Sequence, residues 1–120
     1  MAMQVMSTDQ VLDHHLQAFA SGDVNEILDD FTDDSVLIEP DGVLKGREAI
    51  RAAFEGLLSD LVKPGTYEFR LDTRYIEGEV AYIIWNATCR PADVVYASDT
   101  FFVRNGKIAV QTYAAKIEPK

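Results

Sequence analysis

Three polar residues of this chain stand among apolar neighbours, where an ionisable side chain needs a reason to be. His15 falls within a helical stripe of apolar residues, Glu39 ends a short apolar strand, and Asp99 lies inside an apolar strand. Aspartate is depleted in strands, so its presence in one suggests a specific role. Desolvation raises the pKa of a carboxylate towards the range useful for proton transfer, and histidine shuttles protons. These residue types therefore indicate acid–base chemistry.

Each of the three also has a purely structural interpretation. Glu39 would then be a solvated residue at the end of a hairpin. His15 would be a core histidine whose ring is bonded to a backbone carbonyl or to Asp99, since a buried polar group needs a partner. Asp99 would point outward or pair with a side chain across the sheet. The sequence leaves both interpretations open for each residue.

Other kinds of site have no matching pattern. The chain has no zinc-type spacing, Gly-rich phosphate loop, nucleophile elbow or cofactor fingerprint, so we expect neither a metal nor a cofactor. His14 and His15 are adjacent on a predicted helix and point about 100° apart, so they cannot chelate one metal together. Cys89 has no histidine or acid close to it in the sequence and is interpreted as structural.

The composition is that of one acidic globular domain. The chain has 120 residues, of which 48% are hydrophobic, and its 11 basic and 20 acidic residues give a net charge of −9. We expect a single domain over residues 1–120, with residues 1–6 disordered. The negative field disfavours nucleic acid and anionic membranes as partners. The single cysteine and the absence of a secretory signal or a membrane-spanning apolar run predict a cytoplasmic location.

Three helices are predicted in the first half of the chain. The segment from Ser7 to Gln10 has the capping-box pattern, and the helix that it opens should stop at Gly22. A shorter helix starts at Asp23, and a third runs over about residues 47–61. Between the second and third helices, residues 36–38 and 43–44 form a predicted hairpin that turns at Asp41-Gly42, as a type I′ turn.

The rest of the chain is predicted to be a sheet. Strand patterns joined by short turns predict an antiparallel meander, and Asn105-Gly106 is a strong signal for a two-residue turn. Residues 80–85 are apolar on both sides of their strand, which requires cover on both faces. The helices cover only one face, so we predict a homodimer through the other. The predicted strands are residues 67–76, 80–90, 94–104 and 107–116.

This order of elements resembles the nuclear transport factor 2-like superfamily, which includes the SnoaL-like polyketide cyclases and the ketosteroid isomerases. The residues that carry the resemblance lie in segments 19–28, 31–42, 44–50 and 105–108, and they span nearly the whole chain. The resemblance implies an α+β cone, in which a curved antiparallel sheet wraps around three N-terminal helices and encloses an apolar pocket at its open end. The superfamily includes enzymes, ligand binders and interaction domains, so the fold does not decide the function.

The resemblance also implies candidate roles. Glu39, directly before Pro40, resembles the general-base carboxylate of the isomerases. His15 stands near the place of their oxyanion-stabilising tyrosine, and this difference departs from the isomerase pattern. The functional aspartate on a late strand corresponds to Asp99 or to Tyr96. In the implied mechanism, Glu39 takes a proton next to a carbonyl, while His15 and Asp99 stabilise or reprotonate the enolate.

The expected function is that of a SnoaL-like protein with a hydrophobic pocket for an apolar, carbonyl-bearing small molecule. If the protein is catalytic, we expect a cofactor-independent isomerase, cyclase or lyase that works by proton transfer. The alternative is a non-catalytic ligand-binding or protein-interaction domain of the same fold, and the sequence does not decide between them. The predicted ligand-binding residues are Tyr96, Trp85, Phe19, Phe54, Phe101, Gln111 and Tyr113.

Overall fold

Three helices precede or interrupt the strands of a single sheet in the computed structural model, which describes residues 5–120. The helices are α1 (Thr8–Ser21), α2 (Val24–Leu28) and α3 (Arg47–Ser59). The strands are β1 (Phe31–Glu39), β2 (Gly42–Lys45), β3 (Glu68–Glu77), β4 (Val80–Thr88), β5 (Ala92–Arg104) and β6 (Lys107–Pro119).

The predicted capping box at the start of α1 is confirmed. The Ser7 hydroxyl accepts a hydrogen bond from the Gln10 backbone N–H at 3.2 Å, and the Ser7 N–H donates to the Gln10 side chain at 2.9 Å. The helix ends at Gly22, whose φ of 74° is the left-handed conformation that favours glycine. Asp23 then caps α2 by accepting from two backbone N–H groups. Local chemistry thus sets where α1 begins and ends and where α2 begins.

The six strands form one sheet in the order β2-β1-β6-β5-β4-β3. The last four strands make the predicted antiparallel meander, and β1 and β2 make the predicted hairpin. One pairing was not predicted: β1 runs parallel to β6, so the hairpin extends the same sheet. Register shifts interrupt four of the five pairings, and bulges of this kind bend and twist strands. The curved sheet packed on three helices confirms the predicted α+β class.

One turn was predicted wrongly and another correctly. In the first hairpin Glu39 pairs with Gly42, so the two turn residues are Pro40 and Asp41 rather than Asp41 and Gly42. Proline fixes a negative φ, and no positive φ occurs at Asp41, so this is not a type I′ turn. The turn at Asn105-Gly106 has φ values of 54° and 75°, as type I′ requires.

The core lies between the helices and the concave face of the sheet. Leu12 of α1, Leu28 of α2 and Ile50 of α3 are fully buried, and they belong to one cluster with Ile83 and Phe101 of the sheet. The convex face is the other side of these strands. No helix among residues 5–120 is long and apolar enough to cross a membrane.

The predicted disorder of residues 1–6 falls mainly outside the described part of the chain, which begins at residue 5. Val5 and Met6 lie beside the turn between β5 and β6. A Cβ built on Gly106 would come within 2.7 Å of a Val5 side-chain carbon, so this glycine permits a close approach.

A histidine on α1 joins the first two helices. His14 Nδ1 lies 2.7 Å from the buried carboxylate of Asp30, and its Nε2 lies 3.0 Å from Glu26. The hydrogen bond to Asp30 raises the pKa of His14 from 6.5, against the opposing effect of burial. Burial raises the pKa of Asp30 as well, because desolvation outweighs the neighbouring imidazolium. The contribution of the His14–Asp30 pair to the stability of the folded protein therefore depends on the charge on His14.

We expect His14→Gln to lower the free energy of unfolding by about 1 kcal/mol near pH 6, and by less at alkaline pH. The reason is that a raised folded-state pKa stabilises the protein below the unfolded value of 6.5, and this stabilisation is lost as the pH rises through the folded value. Urea denaturation of the unsubstituted protein and of His14→Gln across pH 6 to 9 measures this difference in the free energy of unfolding. Glu26→Gln is the control, with a smaller effect because Glu26 is half-exposed. A pH-independent difference would contradict the assignment.

Candidate functional site

A cavity of about 560 Å³ lies between α1, α3 and the concave face of the sheet. Most of its wall is apolar, and α3 contributes both large and small side chains to it. The polar groups come from the sheet and from α1, with one exposed carboxylate from the end of α3. The polar lining residues are His15, Glu39, Asp60, Asp99, Gln111 and Tyr113.

Strand pairing arranges three of these polar residues in a row across the sheet. Asp99 of β5 is the direct partner of Tyr113 of β6, so the two side chains share one face. On the other side of β6, Ile38 of β1 pairs with Thr112, which puts Glu39 next to Tyr113. All three residues line the cavity. The unpredicted parallel pairing of β1 with β6 therefore places Tyr113 between two carboxylates, with Asp99 on one side and Glu39 on the other.

Asp99 is the most enclosed acid of this row. Its side chain is buried, with 6% of the residue exposed. One carboxylate oxygen accepts from Trp85 Nε1 at 2.8 Å, and the other accepts from Gln111 Nε2 at 2.9 Å. Burial raises the pKa of Asp99 to about 6, although both hydrogen bonds favour the ionised form and lower it. Asp99 therefore changes charge close to neutral pH.

Tyr113 lies between the two carboxylates as a neutral phenol. Burial, followed by the charges of Asp99 and Glu39, raises its pKa to about 12. It stays protonated at neutral pH and keeps an O–H that can donate a hydrogen bond. No side-chain hydrogen bond to this hydroxyl occurs among residues 5–120. The phenol is thus available to a molecule in the cavity.

His15 faces the cavity from α1 within an aromatic cluster. Its ring makes edge contacts with Phe101, Phe54 and Phe31 at centroid distances of 5.0, 5.9 and 6.1 Å. Burial lowers the pKa of His15 to about 4, so the imidazole is neutral near pH 7. Within the described chain its Nδ1 is buried without a hydrogen-bond partner. The expected bond to a backbone carbonyl or to Asp99 is absent there.

Glu39 is half-buried at the end of β1. Its carboxylate takes part in none of the side-chain hydrogen bonds or salt bridges formed within residues 5–120. Pro40 follows it in the turn, so the chain changes direction directly after this side chain. Glu39 is therefore a free carboxylate on the wall of an apolar cavity.

The structure brings together the three proposed catalytic residues and six of the seven proposed ligand-binding residues. His15, Glu39 and Asp99 all line the cavity, and their roles stay predictions. Tyr96 is the exception. It is 53% exposed and does not line the cavity, because alternation along β5 places it on the face opposite Asp99. The ligand-binding residues that do line it are Trp85, Phe19, Phe54, Phe101, Gln111 and Tyr113.

The sequence analysis missed several wall residues. Phe69 of β3 packs against Trp85 with a ring-centroid distance of 5.3 Å, and the sequence analysis had assigned it only to a strand. Leu37 of β1 and Leu57 of α3 also face the cavity. Helical spacing from Phe54 gives Leu57, and strand spacing from Glu39 gives Leu37, so both signals were present. Gly56 is different, because a residue without a side chain gives no periodic signal.

No set of three or more His, Cys, Asp or Glu side chains in residues 5–120 is arranged to hold a metal ion. The neighbouring histidine, His14, points to Asp30 and Glu26 rather than into the cavity. The polar side chains that line the cavity are groups that can donate or accept hydrogen bonds and protons.

One family model matches the chain, and several solved structures share its fold. The model of the SnoaL-like domain matches residues 12–111. A Sinorhizobium meliloti protein provisionally assigned as a polyketide cyclase has a TM-score of 0.74 and 16% identity, with 86% of this chain and 92% of that chain covered. A Kribbella flavida protein provisionally assigned as a ketosteroid isomerase has a TM-score of 0.75 and 14% identity, with 91% of this chain and 77% of that chain covered.

An LEH-like epoxide hydrolase from M. tuberculosis has a TM-score of 0.72 and 13% identity, with 91% of this chain and 82% of that chain covered. No curated protein matches the chain. At such identities the solved structures establish the shared fold alone. The family match covers most of the chain, which therefore belongs to the SnoaL-like family, and the solved structures show that it shares its fold with nuclear transport factor 2-like proteins.

Proposed function

We propose that the protein is a cofactor-independent acid–base enzyme that moves a proton next to the carbonyl group of an apolar small molecule. The observation that carries the proposal is Asp99, an acid buried in the wall of an apolar cavity with its pKa raised to about 6. A general base works best when its pKa lies near the working pH. Membership of the SnoaL-like family supports this class of chemistry.

Asp99 is assigned as the base in place of Glu39, which the sequence-based hypothesis had chosen. Asp99 is the more enclosed of the two and is held by Trp85 and Gln111 through both of its oxygens. Each carboxylate oxygen has two acceptor sites, so a lone pair remains for the proton that is removed. A base fixed by two donors also keeps its orientation, which supports efficient proton transfer.

The developing enolate needs hydrogen-bond donors. Tyr113 is directly across from Asp99 and keeps its phenolic proton, and the neutral ring of His15 carries one N–H. Both residues line the cavity, in a wall that is mostly apolar. Hydrogen bonds to a developing oxyanion are strengthened where water is excluded. Tyr113 and His15 are therefore the proposed oxyanion donors.

The first test is Asp99→Asn. We expect kcat/KM to fall by about 10²–10⁴, the usual contribution of a positioned general base. The assay follows exchange of the proton beside the carbonyl by NMR in D₂O, across a panel of apolar enolisable ketones. Circular dichroism checks that the fold is intact, and Asp34→Asn, an exposed acid on β1, is the charge-matched control.

Unchanged exchange in Asp99→Asn would remove Asp99 as the base. Exchange with no member of the panel would favour the non-catalytic alternative, in which the same cavity binds a ligand without turning it over. Glu39→Gln distinguishes the two assignments of the base, because under this proposal its effect is the smaller.

The second test is the pH dependence of Trp85→Phe. Loss of the Nε1–H bond removes an interaction that favours ionised Asp99, so the pKa of Asp99 rises. The acidic limb of the kcat/KM profile should therefore move to higher pH, since a base acts when it is deprotonated. Gln111→Leu should move it in the same direction. An acidic limb that stays in place in both variants would show that another group titrates.

We also propose a homodimer through the convex face of the sheet, in a reducing compartment such as the cytoplasm. Support for the dimer comes from exposed apolar side chains on this face, among them Ile38, Tyr75 and Tyr96, which are 41%, 69% and 53% exposed. Ile38 and Tyr75 lie on one row of paired residues across the sheet. Support for the compartment comes from Cys89, a buried free thiol.

Size-exclusion chromatography with light scattering should give a dimer at micromolar concentration. Ile38→Lys should produce a monomer, because it places a charge on the proposed interface. Val5→Lys, at an exposed apolar residue before α1, is the control and should stay dimeric. A monomeric unsubstituted protein would remove the proposal.

A further inference from the structure

The charged side chains that line the cavity all have the same sign. Among the described residues that line it are three carboxylates, from Glu39, Asp60 and Asp99, and no lysine or arginine. Asp60 is exposed at the rim, and Lys63 and Arg90 line a neighbouring surface depression with it. Glu39 and Asp99 have no basic residue opposite them in the wall. A ligand with a negative charge would enter against two carboxylates in a region of low dielectric.

Hydrogen-bonding capacity in the wall is also one-sided. Gln111 donates its amide N–H to Asp99, and its carbonyl oxygen Oε1 is buried without a donor. His15 Nδ1 is buried without a partner as well, and it is an acceptor in one of the two neutral tautomers. Both residues are more than nine-tenths buried and line the cavity. Together with the free lone pairs of Glu39 and Asp99, these acceptors outnumber the main unused side-chain donors of the described lining, which are the Tyr113 hydroxyl and the one N–H of the neutral His15 ring.

Glu39 has no role in the proposed proton transfer. It makes no hydrogen bond or salt bridge within residues 5–120, while arginine and lysine side chains elsewhere pair with acids on the surface. It lies beside Tyr113, whose ring gives a cation a favourable face. A half-buried carboxylate without a counter-ion gains most from a ligand that brings one.

We propose that the otherwise apolar ligand of this cavity carries a protonated amine, held by Glu39, in addition to the carbonyl whose neighbouring C–H faces Asp99. An ammonium group has three donors and no acceptor, so it matches both the charge and the unused acceptors of the wall. The two carboxylates then have separate roles: Asp99 takes the proton and Glu39 holds the cation. The position of the carbonyl rests on the proposed function, whereas the selection for an amine does not.

The test compares three probes of nearly equal size by titration calorimetry at pH 7: phenethylamine, phenethyl alcohol and hydrocinnamate. They carry an ammonium, a hydroxyl and a carboxylate on the same apolar frame. We expect the amine to bind about tenfold tighter than the alcohol, the difference between a charge-assisted and a neutral hydrogen bond, and the carboxylate to bind weakest. Glu39→Gln should remove most of the preference for the amine, with Asp99 as the remaining carboxylate of the inner wall, and should change the affinity for the alcohol much less.

Asp34→Asn is the matched control, because it removes one negative charge from an exposed position on the same strand, outside the cavity. It should keep the preference for the amine. The proposal is overturned if the alcohol or the carboxylate binds as tightly as the amine, if no probe binds at millimolar concentration, or if Glu39→Gln keeps the preference. Selective amine binding with unchanged turnover in Asp99→Asn would overturn the proposed base alone. Loss of turnover in Asp99→Asn without selective binding of the amine would overturn the proposed amine alone.

Discussion

The parallel pairing of β1 with β6 is the interaction on which the candidate site depends. Without it the hairpin would lie apart from the meander, and Glu39 would not stand beside Tyr113. Ser35 supports the irregular stretch of β1 at the point where the register with β6 shifts. Its hydroxyl donates to the Ile108 carbonyl at 2.6 Å and accepts from the Thr32 N–H at 2.8 Å. A buried serine with both capacities used keeps this strand in register.

The rest of the site follows from a balance between burial and hydrogen bonding. Desolvation opposes the charge on Asp99 and raises its pKa to about 6, while the donors Trp85 and Gln111 support the charge and lower the pKa. His15 has no such support, and burial, followed by the charge of His14, lowers the pKa of its ring and keeps it neutral. The same apolar wall therefore produces an acid that titrates near neutral pH in one place and an imidazole that is neutral at that pH in another.

Local signals in the sequence were enough for much of the fold. The Ser7 capping box and the Asn105-Gly106 turn depend on a few adjacent residues, and both were predicted correctly. The β1–β6 pairing joins segments about seventy residues apart, and no local pattern encodes it. Tyr96 and Asp99 were proposed for the same pocket although an odd spacing puts them on opposite faces of a regular strand. The sequence did not show which residues of β5 point towards the pocket, because this strand is apolar on both sides.

The hydrogen bond between Trp85 and Asp99 has a practical consequence. Trp85 is the single tryptophan of the chain, and its indole N–H ends on the acid that is proposed to react. The emission of an indole depends on the charge and polarity around it. The tryptophan fluorescence of this protein therefore comes entirely from one wall of the cavity. It should respond both to the ionisation of Asp99 and to the arrival of a ligand, so the molecule carries its own optical probe without a label.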